Sequence, residues 1–250
     1  MSSLIVPPRR GFFGGGYPNL LTVKIIPIRT TVLGNGQNDL YTVPTGKRAS
    51  ISYTVTNESG GAINHTFQIK ISGTYYTFVA TASVINNTTG IQSNALNTCP
   101  IAEAGETFSI LTNAANLVLS GFIVEFSASE AIKSPKILSL INGDNTVYTC
   151  PVNKKAFIGN YLGGNAGIVK YGNFSGSNRA IHWNVVKSGG TPSAAINQTT
   201  ANITAIVTNT INNQQAMYAA LTAGDFVSIN SDASTATQIA WIENLIELPA

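Results

Sequence analysis

Apolar and polar residues alternate with a period of two along much of this 250-residue chain. A strand with one buried face has this pattern, because successive side chains of a strand point to opposite sides of its sheet. The clearest apolar faces are Ala49, Ile51, Tyr53 and Val55; Ile63, His65, Phe67, Ile69 and Ile71; Tyr76, Phe78 and Ala80; and Ile181, Trp183 and Val185. We therefore predict a chain built from short strands.

Further strands are predicted at about 91–99, 107–112 and 117–126, separated by Gly-, Asn- and Ser-rich turns. No segment between them has the apolar spacing of an amphipathic helix. Many short strands at regular spacing are typical of an antiparallel sandwich. The predicted fold class is all-β, with antiparallel β-sandwich modules of the jelly-roll or immunoglobulin-like kind.

Two stretches of the sequence recur. The segment 40–49, LYTVPTGKRA, returns as 147–156, VYTCPVNKKA, at a spacing of 107, and 104–110, AGETFSI, returns as 223–229, AGDFVSI, at a spacing of 119. Repetition at this scale predicts two tandem copies of one module. In each copy of the first segment we predict a turn with proline second and Gly46 or Asn153 fourth. The second copy carries about twelve extra residues, which we place in 193–213.

The repeat divides the chain into four predicted parts. They are an extended N-terminal arm at 1–29, a first module at 30–128, a linker at 129–136 and a second module at 137–250. Residues 21–33 alternate loosely and could form an edge strand. Pro7, Pro8 and three consecutive glycines at 14–16 interrupt any regular pattern before that point.

The arm is too apolar for a segment that stays in water, although it breaks every strand or helix pattern. We predict that it lies on a neighbouring subunit; a tail folded onto its own module is the alternative. The candidate partner-binding residues of the arm are Leu4, Ile5, Arg9, Arg10, Phe12, Phe13 and Tyr17.

Charged residues make up only 10% of the chain, and the formal net charge is +3. A quarter charged is usual for a soluble domain, so the surface is built mainly from Asn, Thr, Ser and Gln. Binding to nucleic acid through phosphate neutralisation is disfavoured by this composition. No apolar run is long enough to span a bilayer, and the first residues lack signal-peptide features, so we expect synthesis and assembly in a cytoplasm.

The sequence carries no signature of catalysis, a cofactor or a metal site, and we predict a non-enzymatic protein. His65 and His182 lack metal-ligand spacing and are expected to pack as neutral rings. Glu106 and Asp225 occupy matching places in the two AG-acid turns, which a turn constraint explains more simply than an acid–base pair. Cys99 and Cys150 could form a disulfide, but two separate thiols are favoured.

A sugar- or receptor-binding role is the second hypothesis, because sandwiches can hold glycans on exposed aromatic rings beside amide side chains. The candidate rings are Tyr75, Tyr76, Tyr161, Tyr171 and Trp183. The competing interpretation is that these rings fill the cores.

The run from Tyr41 to Ala49, followed by alternating strands and the later AGETFSI segment, resembles a small β-sandwich module of tailed-bacteriophage virion proteins. The second copy departs from it at Cys150, Val152 and Asn153. The resemblance implies a capsid decoration or cement protein on the virion surface. It would be a homotrimer that contacts the major capsid protein and copies of itself. A tail or head-fibre component that binds host glycans or a receptor is the alternative. The resemblance supplies no catalytic residues.

Overall fold

A computed structural model describes residues 23–57, 59–85, 88–90, 100–158, 167–173, 179–191, 197–203, 210–217, 219–232, 238–243 and 245–250. These residues form strands, turns and bends, and none of them is helical. The all-β prediction, with two tandem antiparallel sandwich modules, is confirmed. Residues 1–22, and with them all seven candidate residues of the arm, lie outside the described residues, as does the strand predicted at 91–99.

The described residues of the first module form eight strands, which are β1 (Lys24–Leu33), β2 (Gly36–Thr42), β3 (Lys47–Asn57), β4 (Ile63–Ile71), β5 (Thr74–Val84), β6 (Thr88–Gly90), β7 (Thr107–Thr112) and β8 (Leu117–Ser127). They form two antiparallel sheets with the strand orders β1-β8-β3-β6 and β2-β7-β4-β5. The chain crosses between the sheets repeatedly, as in an eight-stranded jelly roll.

The second module comprises β9 (Ile132–Lys133), β10 (Lys136–Ile137), β11 (Gly143–Thr149), β12 (Lys154–Ile158), β13 (Gly167–Asn173), β14 (Arg179–Val186), β15 (Asn197–Ile203), β16 (Thr210–Met217), β17 (Ala219–Leu221), β18 (Phe226–Ser231), β19 (Gln238–Glu243) and β20 (Leu245–Pro249). Its sheets have the orders β10-β19-β13-β16 and β11-β18-β14-β15, with a third sheet β17-β12-β20-β9. The first two orders match those of the first module strand for strand.

The two modules also share local backbone irregularities. The pairing of β2 with β7 shifts between Asp39 and Tyr41, and the pairing of β11 with β18 shifts between Thr146 and Tyr148. The same one-residue bulge therefore recurs at the 107-residue spacing. A bulge adds an unpaired residue and bends its strand, so its recurrence indicates a shared backbone plan.

One asparagine closes the same turn in each module. The Asn38 Nδ2 donates to the carbonyls of Gly34 (3.0 Å), Gly36 (2.9 Å) and Ile110 (3.3 Å), and its Oδ1 accepts the Gly34 N–H. The Asn145 side chain makes the equivalent four bonds, to both backbone groups of Ile141 and to the carbonyls of Gly143 and Ile229. These contacts lie outside the sequence repeat that we recognised.

The repeated proline turn exists, but its register differs from the prediction by one residue. The Lys47 N–H donates to the Pro44 carbonyl at 3.1 Å, so proline is the first residue of the turn and Gly46 the third. Gly46 has a φ of 74° and Asn153, its counterpart, a φ of 62°. Positive φ at the third position is the geometry that glycine and asparagine tolerate best.

Most of the extra residues of the second module lie earlier than we predicted. Phe67 pairs with Ile110, and Trp183 pairs with Ile229, so Trp183 is the counterpart of Phe67 at a spacing of 116 (183 minus 67). Nine of the twelve extra residues (116 minus 107) therefore lie between β12 and β14, and three (119 minus 116) lie after β14. The placement of all twelve in 193–213 was therefore wrong for nine of them.

Strands lie in two segments that we predicted to be an arm and a linker. β1 begins at Lys24, so residues 24–29 of the predicted arm belong to a sheet, as the loose alternation of 21–33 suggested. The predicted linker contributes β9 and the start of β10 to sheets of the second module. The division of the chain at 30, 128 and 137 otherwise stays a prediction.

The predicted apolar faces of β3, β4 and β14 point into the cores. Ala49, Ile51, Tyr53 and Val55 are each at most 4% exposed. Ile181, Trp183 and Val185 are equally buried in the second module. Burial of these side chains provides the main free energy of folding, at about 25 cal/mol per Å² of apolar surface.

Strand β19 is buried on both faces. Ala240 and Ile242 pack in the core of the second module, while Ile239 and Trp241 belong to the buried cluster of the first. The Trp241 ring meets the Phe78 ring edge to face, with centroids 5.1 Å apart. The two modules therefore share an apolar contact, which fixes them side by side.

Candidate partner-binding surface

The sheet β1-β8-β3-β6 has an outward side that consists mainly of apolar and hydroxyl side chains, and Arg48, near the start of β3, is paired with Glu103. We call this side the first outer face, and define it by Ile25, Pro27 and Val32 on β1, Phe122 on β8, and Ser52 and Thr54 on β3. Strand pairing aligns these residues in rows, with Pro27 beside Phe122 and Phe122 beside Ser52. The inward neighbours Ile26, Ile28 and Ile123 pack in the core.

Three side chains of the first outer face are well exposed for apolar residues. Ile25 is 45% exposed, Val32 61% and Phe122 40%. Single exposed apolar residues are ordinary on protein surfaces, but a contiguous apolar group on one sheet face indicates a contact site. Ile25 and Pro27 of this face lie in the last part of the segment 1–29 that we predicted to be a partner-binding arm.

The free edge of β1 is unsuited to strand addition. Pro27 has no N–H to donate, and the pairing of β1 with β8 shifts between Ile28 and Thr31. Prolines and bulges on edge strands prevent pairing with a strand of another chain. A partner is therefore expected to contact the face of this sheet rather than its edge.

The surface of the protein carries even less charge than its composition suggests. Glu106, Glu125, Asp225, Glu243 and Glu247 are at most 8% exposed, so five of the 11 acidic residues are buried. Their partners are backbone N–H groups, tyrosine hydroxyls and lysines. The remaining surface is suited to contacts through apolar and hydroxyl groups.

A second outer face, the outward side of β10-β19-β13-β16, is covered by the first module. We define it by Lys170, Ile239, Trp241 and Glu243, which are all at most 2% exposed. Lys170 Nζ lies 2.7 Å from Glu243 Oε1 and 5.9 Å from the Trp241 ring centroid. Burial raises the pKa of Glu243 to about 7, although the Lys170 charge opposes that rise. No spacing in the sequence signalled this ion pair.

The linker is held to the first module by charged side chains. Arg48 donates to the carbonyls of Glu130 and Ile132, at 3.3 and 3.2 Å. Lys136 forms an ion pair of 2.8 Å with Glu106 in the repeated turn. These contacts restrict the angle between the modules.

Glu106 and Asp225 have the turn role that we predicted from their matching positions. The Glu106 carboxylate accepts the Glu103 N–H at 2.9 Å, three residues earlier, and Asp225 accepts the Thr222 N–H in the same way. Burial of Asp225 would raise its pKa, but hydrogen bonds from Thr222 and Ser188 and the Lys187 charge lower it to about 2. Each of the two acids therefore caps the turn of its own module.

The histidines and the described cysteine are packed within the fold. His65 is 2% exposed, with its ring centroid 6.5 Å from that of Tyr53, and His182 is half-buried on β14. Cys150 is a buried free thiol, and its burial raises its pKa. Cys99 lies outside the described residues. Within the described ranges, no group of three or more His, Cys, Asp and Glu side chains could hold a metal ion.

Most of the candidate sugar-stacking rings fill cores. Tyr171 and Trp183 are at most 1% exposed, and Tyr76 packs against the first core. Tyr161 lies outside the described residues. Tyr75 is half-buried, with Lys70 Nζ 5.0 Å from its ring centroid and its hydroxyl donating to Asp39 at 3.1 Å. That lysine occupies one side of the ring that a sugar would need.

No family model and no curated protein matches the chain. Among solved structures, the chain is similar to a viral capsid protein, the STIV MCP, with 8% identity and a TM-score of 0.31 over 90% of this chain and 96% of that one. It is also similar to the N-terminal CBM22-1-CBM22-2 tandem domain of Paenibacillus barcinonensis Xyn10C, with 10% identity and a TM-score of 0.25 over 91% of each chain. At these scores the likenesses assign no function. In the described part of the chain, no helix is long and apolar enough to cross a membrane.

Proposed function

We propose that this chain is a non-enzymatic structural protein of a bacteriophage virion, a decoration or cement protein that binds the outside of the capsid. The observation that carries the proposal is the first outer face, whose exposed apolar residues Ile25, Val32 and Phe122 lie beside hydroxyl side chains. The sequence resemblance to phage virion modules points to the same class of protein.

The proposed action is to hold neighbouring major capsid subunits together. A protein that binds the assembled lattice and not the free subunits stabilises the lattice by mass action. The arm would bury Phe12, Phe13 and Tyr17 on an adjacent subunit, and aromatic residues are effective anchors at such contacts. Pressure from packaged DNA supplies the need for this stabilisation. The chain would be made in the host cytoplasm and would then assemble on the virion as a homotrimer.

Deletion of residues 1–20 tests the role of the arm. These residues precede β1, so we expect both modules to stay folded, with an unchanged circular dichroism spectrum. We expect attachment to particles that lack the protein to be abolished in a sedimentation assay. Unchanged occupancy of the particles by the deletion variant would refute the role of the arm.

The alternative function, glycan binding by a tail or fibre component, has Tyr75 as its candidate ring among the described residues. Its test is a glycan array probed with the purified chain. Binding that is lost in Tyr75→Ala and kept in Tyr76→Phe would favour this alternative over the decoration role.

A further inference from the structure

We infer that the first outer face is a self-association surface, covered in the assembled protein by the second module of another copy of this chain. The inference extends the proposed structural role by naming the surface and its occupant. It depends on the proposed function only because both require copies of the chain to contact one another. The test of the inference uses no capsid.

The argument begins with the contact inside one chain. The second outer face is covered by the first module at β5, where Phe78 meets Trp241. The covered sheet, β10-β19-β13-β16, corresponds in strand order to β1-β8-β3-β6, whose outward side is the first outer face. One module of this fold is therefore already shown to pack on this side of its neighbour.

The contact between the two modules of one chain can be repeated between modules of two chains. The counterpart of β5 in the second module is β15 (Asn197–Ile203), which occupies the same edge position beside β14. Placing the second module of another copy on the first outer face repeats the intrachain contact with the same elements. Such a contact joins two different surfaces, and heterologous contacts of this kind close into rings when the rotation allows.

The chemistry of the first outer face favours a protein of this composition as its occupant. Its exposed apolar group lies beside the hydroxyls of Ser52 and Thr54, and its six defining residues carry no charge. Apolar centres depleted of charged residues are typical of protein–protein interfaces. Pro27 and the shifted pairing of β1 with β8 disfavour strand pairing as the mode of contact.

The test is the mass of the purified full-length chain by size-exclusion chromatography with light scattering at micromolar concentration. We expect the wild type to be a multimer of several copies. Phe122→Asp places a charge at the centre of the first outer face, and Thr54→Lys does so from a half-buried position on β3. Each should weaken association by about tenfold or more.

Val152→Asp is the matched control, because Val152 is 78% exposed in a turn outside the first outer face. It should associate as the wild type does. Circular dichroism and thermal unfolding check that each variant folds; Thr54→Lys keeps the test decisive if Phe122→Asp does not fold.

Three results would overturn the inference. They are a monomeric wild-type chain, association that Phe122→Asp and Thr54→Lys leave unchanged, or equal loss in Val152→Asp. Loss of association on deleting residues 1–20 would assign the first outer face to the arm instead. Because the measurement is made in solution, it separates this inference from the proposed capsid role, which is tested by occupancy of particles.

Discussion

Lys170 and Glu243 form an ion pair of 2.7 Å whose side chains are each 2% exposed, beneath the contact between the two modules. Removing two charges from water costs several kcal/mol each, and their attraction offsets this cost only while both partners are present. The free energy of unfolding is therefore expected to fall when one partner is replaced and to change little when both are replaced.

We predict that Glu243→Gln lowers the free energy of unfolding by about 3 kcal/mol or more at a pH near 8. The double variant Lys170→Met with Glu243→Leu should remain within roughly 1 kcal/mol of the wild type. The exposed pair of Lys70 and Asp39, 3.0 Å apart, provides the control, and Asp39→Asn should cost less than about 1 kcal/mol. Urea unfolding measures all four proteins. Equal losses in the single and double variants would contradict the prediction.

The raised pKa of Glu243 predicts a pH dependence of stability. Burial raises this pKa to about 7 from its ordinary value of 4.5. The folded chain therefore holds a proton that the unfolded chain releases, and raising the pH favours unfolding. The stabilisation of the folded chain by protonated Glu243 is complete below pH 4.5 and is lost as the pH rises through 7.

The measurement is the unfolding free energy of the wild type relative to the Lys170→Met, Glu243→Leu double variant, at a series of pH values. The difference should change by roughly 3 kcal/mol between acid and alkaline ends of the series, with the wild type relatively more stable in acid. A constant difference, or one that rises with pH, would show that Glu243 is not responsible.

Asn38 and Asn145 are predicted to be equivalent in their effect on stability. Each closes its turn with the same four hydrogen bonds, so replacement by alanine removes four bonds to backbone groups, several of them partly buried. We expect Asn38→Ala and Asn145→Ala each to cost about 1–3 kcal/mol. Asn35→Ala, at an exposed neighbouring position, should cost less than about 0.5 kcal/mol. A large effect in only one module would contradict a shared backbone plan.

Gly121 is predicted to be irreplaceable for a steric reason. A Cβ at this position would lie 2.7 Å from Tyr53 Cα and would overlap the Ser52 carbonyl oxygen. Gly121→Ala should therefore separate β8 from β3 and cost about 1–3 kcal/mol or more. Gly61→Ala is the matched control, because nothing lies within 4 Å of a Cβ there. Similar melting temperatures for the two variants would refute the steric argument.

Alternation located the strands well because a half-buried strand has to alternate. The faces of β3, β4 and β14 and the extents of β7 and β8 follow directly from it. The same rule places Phe122 outward beside the inward Ile123, so the first outer face could have been found by separating the two sides of β8. The sequence alone did not show which outward side remains uncovered, because that depends on how the modules pack.

Most features that the sequence did not predict depend on pairing between residues far apart in the chain. Lys170 and Glu243 are 73 residues apart (243 minus 170), and a lysine within an otherwise buried strand has no spacing that marks its partner. The glycine-rich segment after Ile158 resembles a turn between strands, but the pairing of β13 with β19 shows that the strand resumes beyond it. Turn motifs were found because they depend on a few consecutive residues. The continuity of a strand across an insertion was missed because it depends on the neighbouring strands with which it pairs.

The sharing of Ile239 and Trp241 with the first core affects how the chain can fold during synthesis. These residues follow the whole first module in the chain, so Phe78 lacks its edge-to-face partner until β19 has been synthesised. A protein truncated before β19 would leave that ring in water and would be a substrate for chaperones or proteases. The C-terminal strands are therefore needed to complete the apolar packing of the first module.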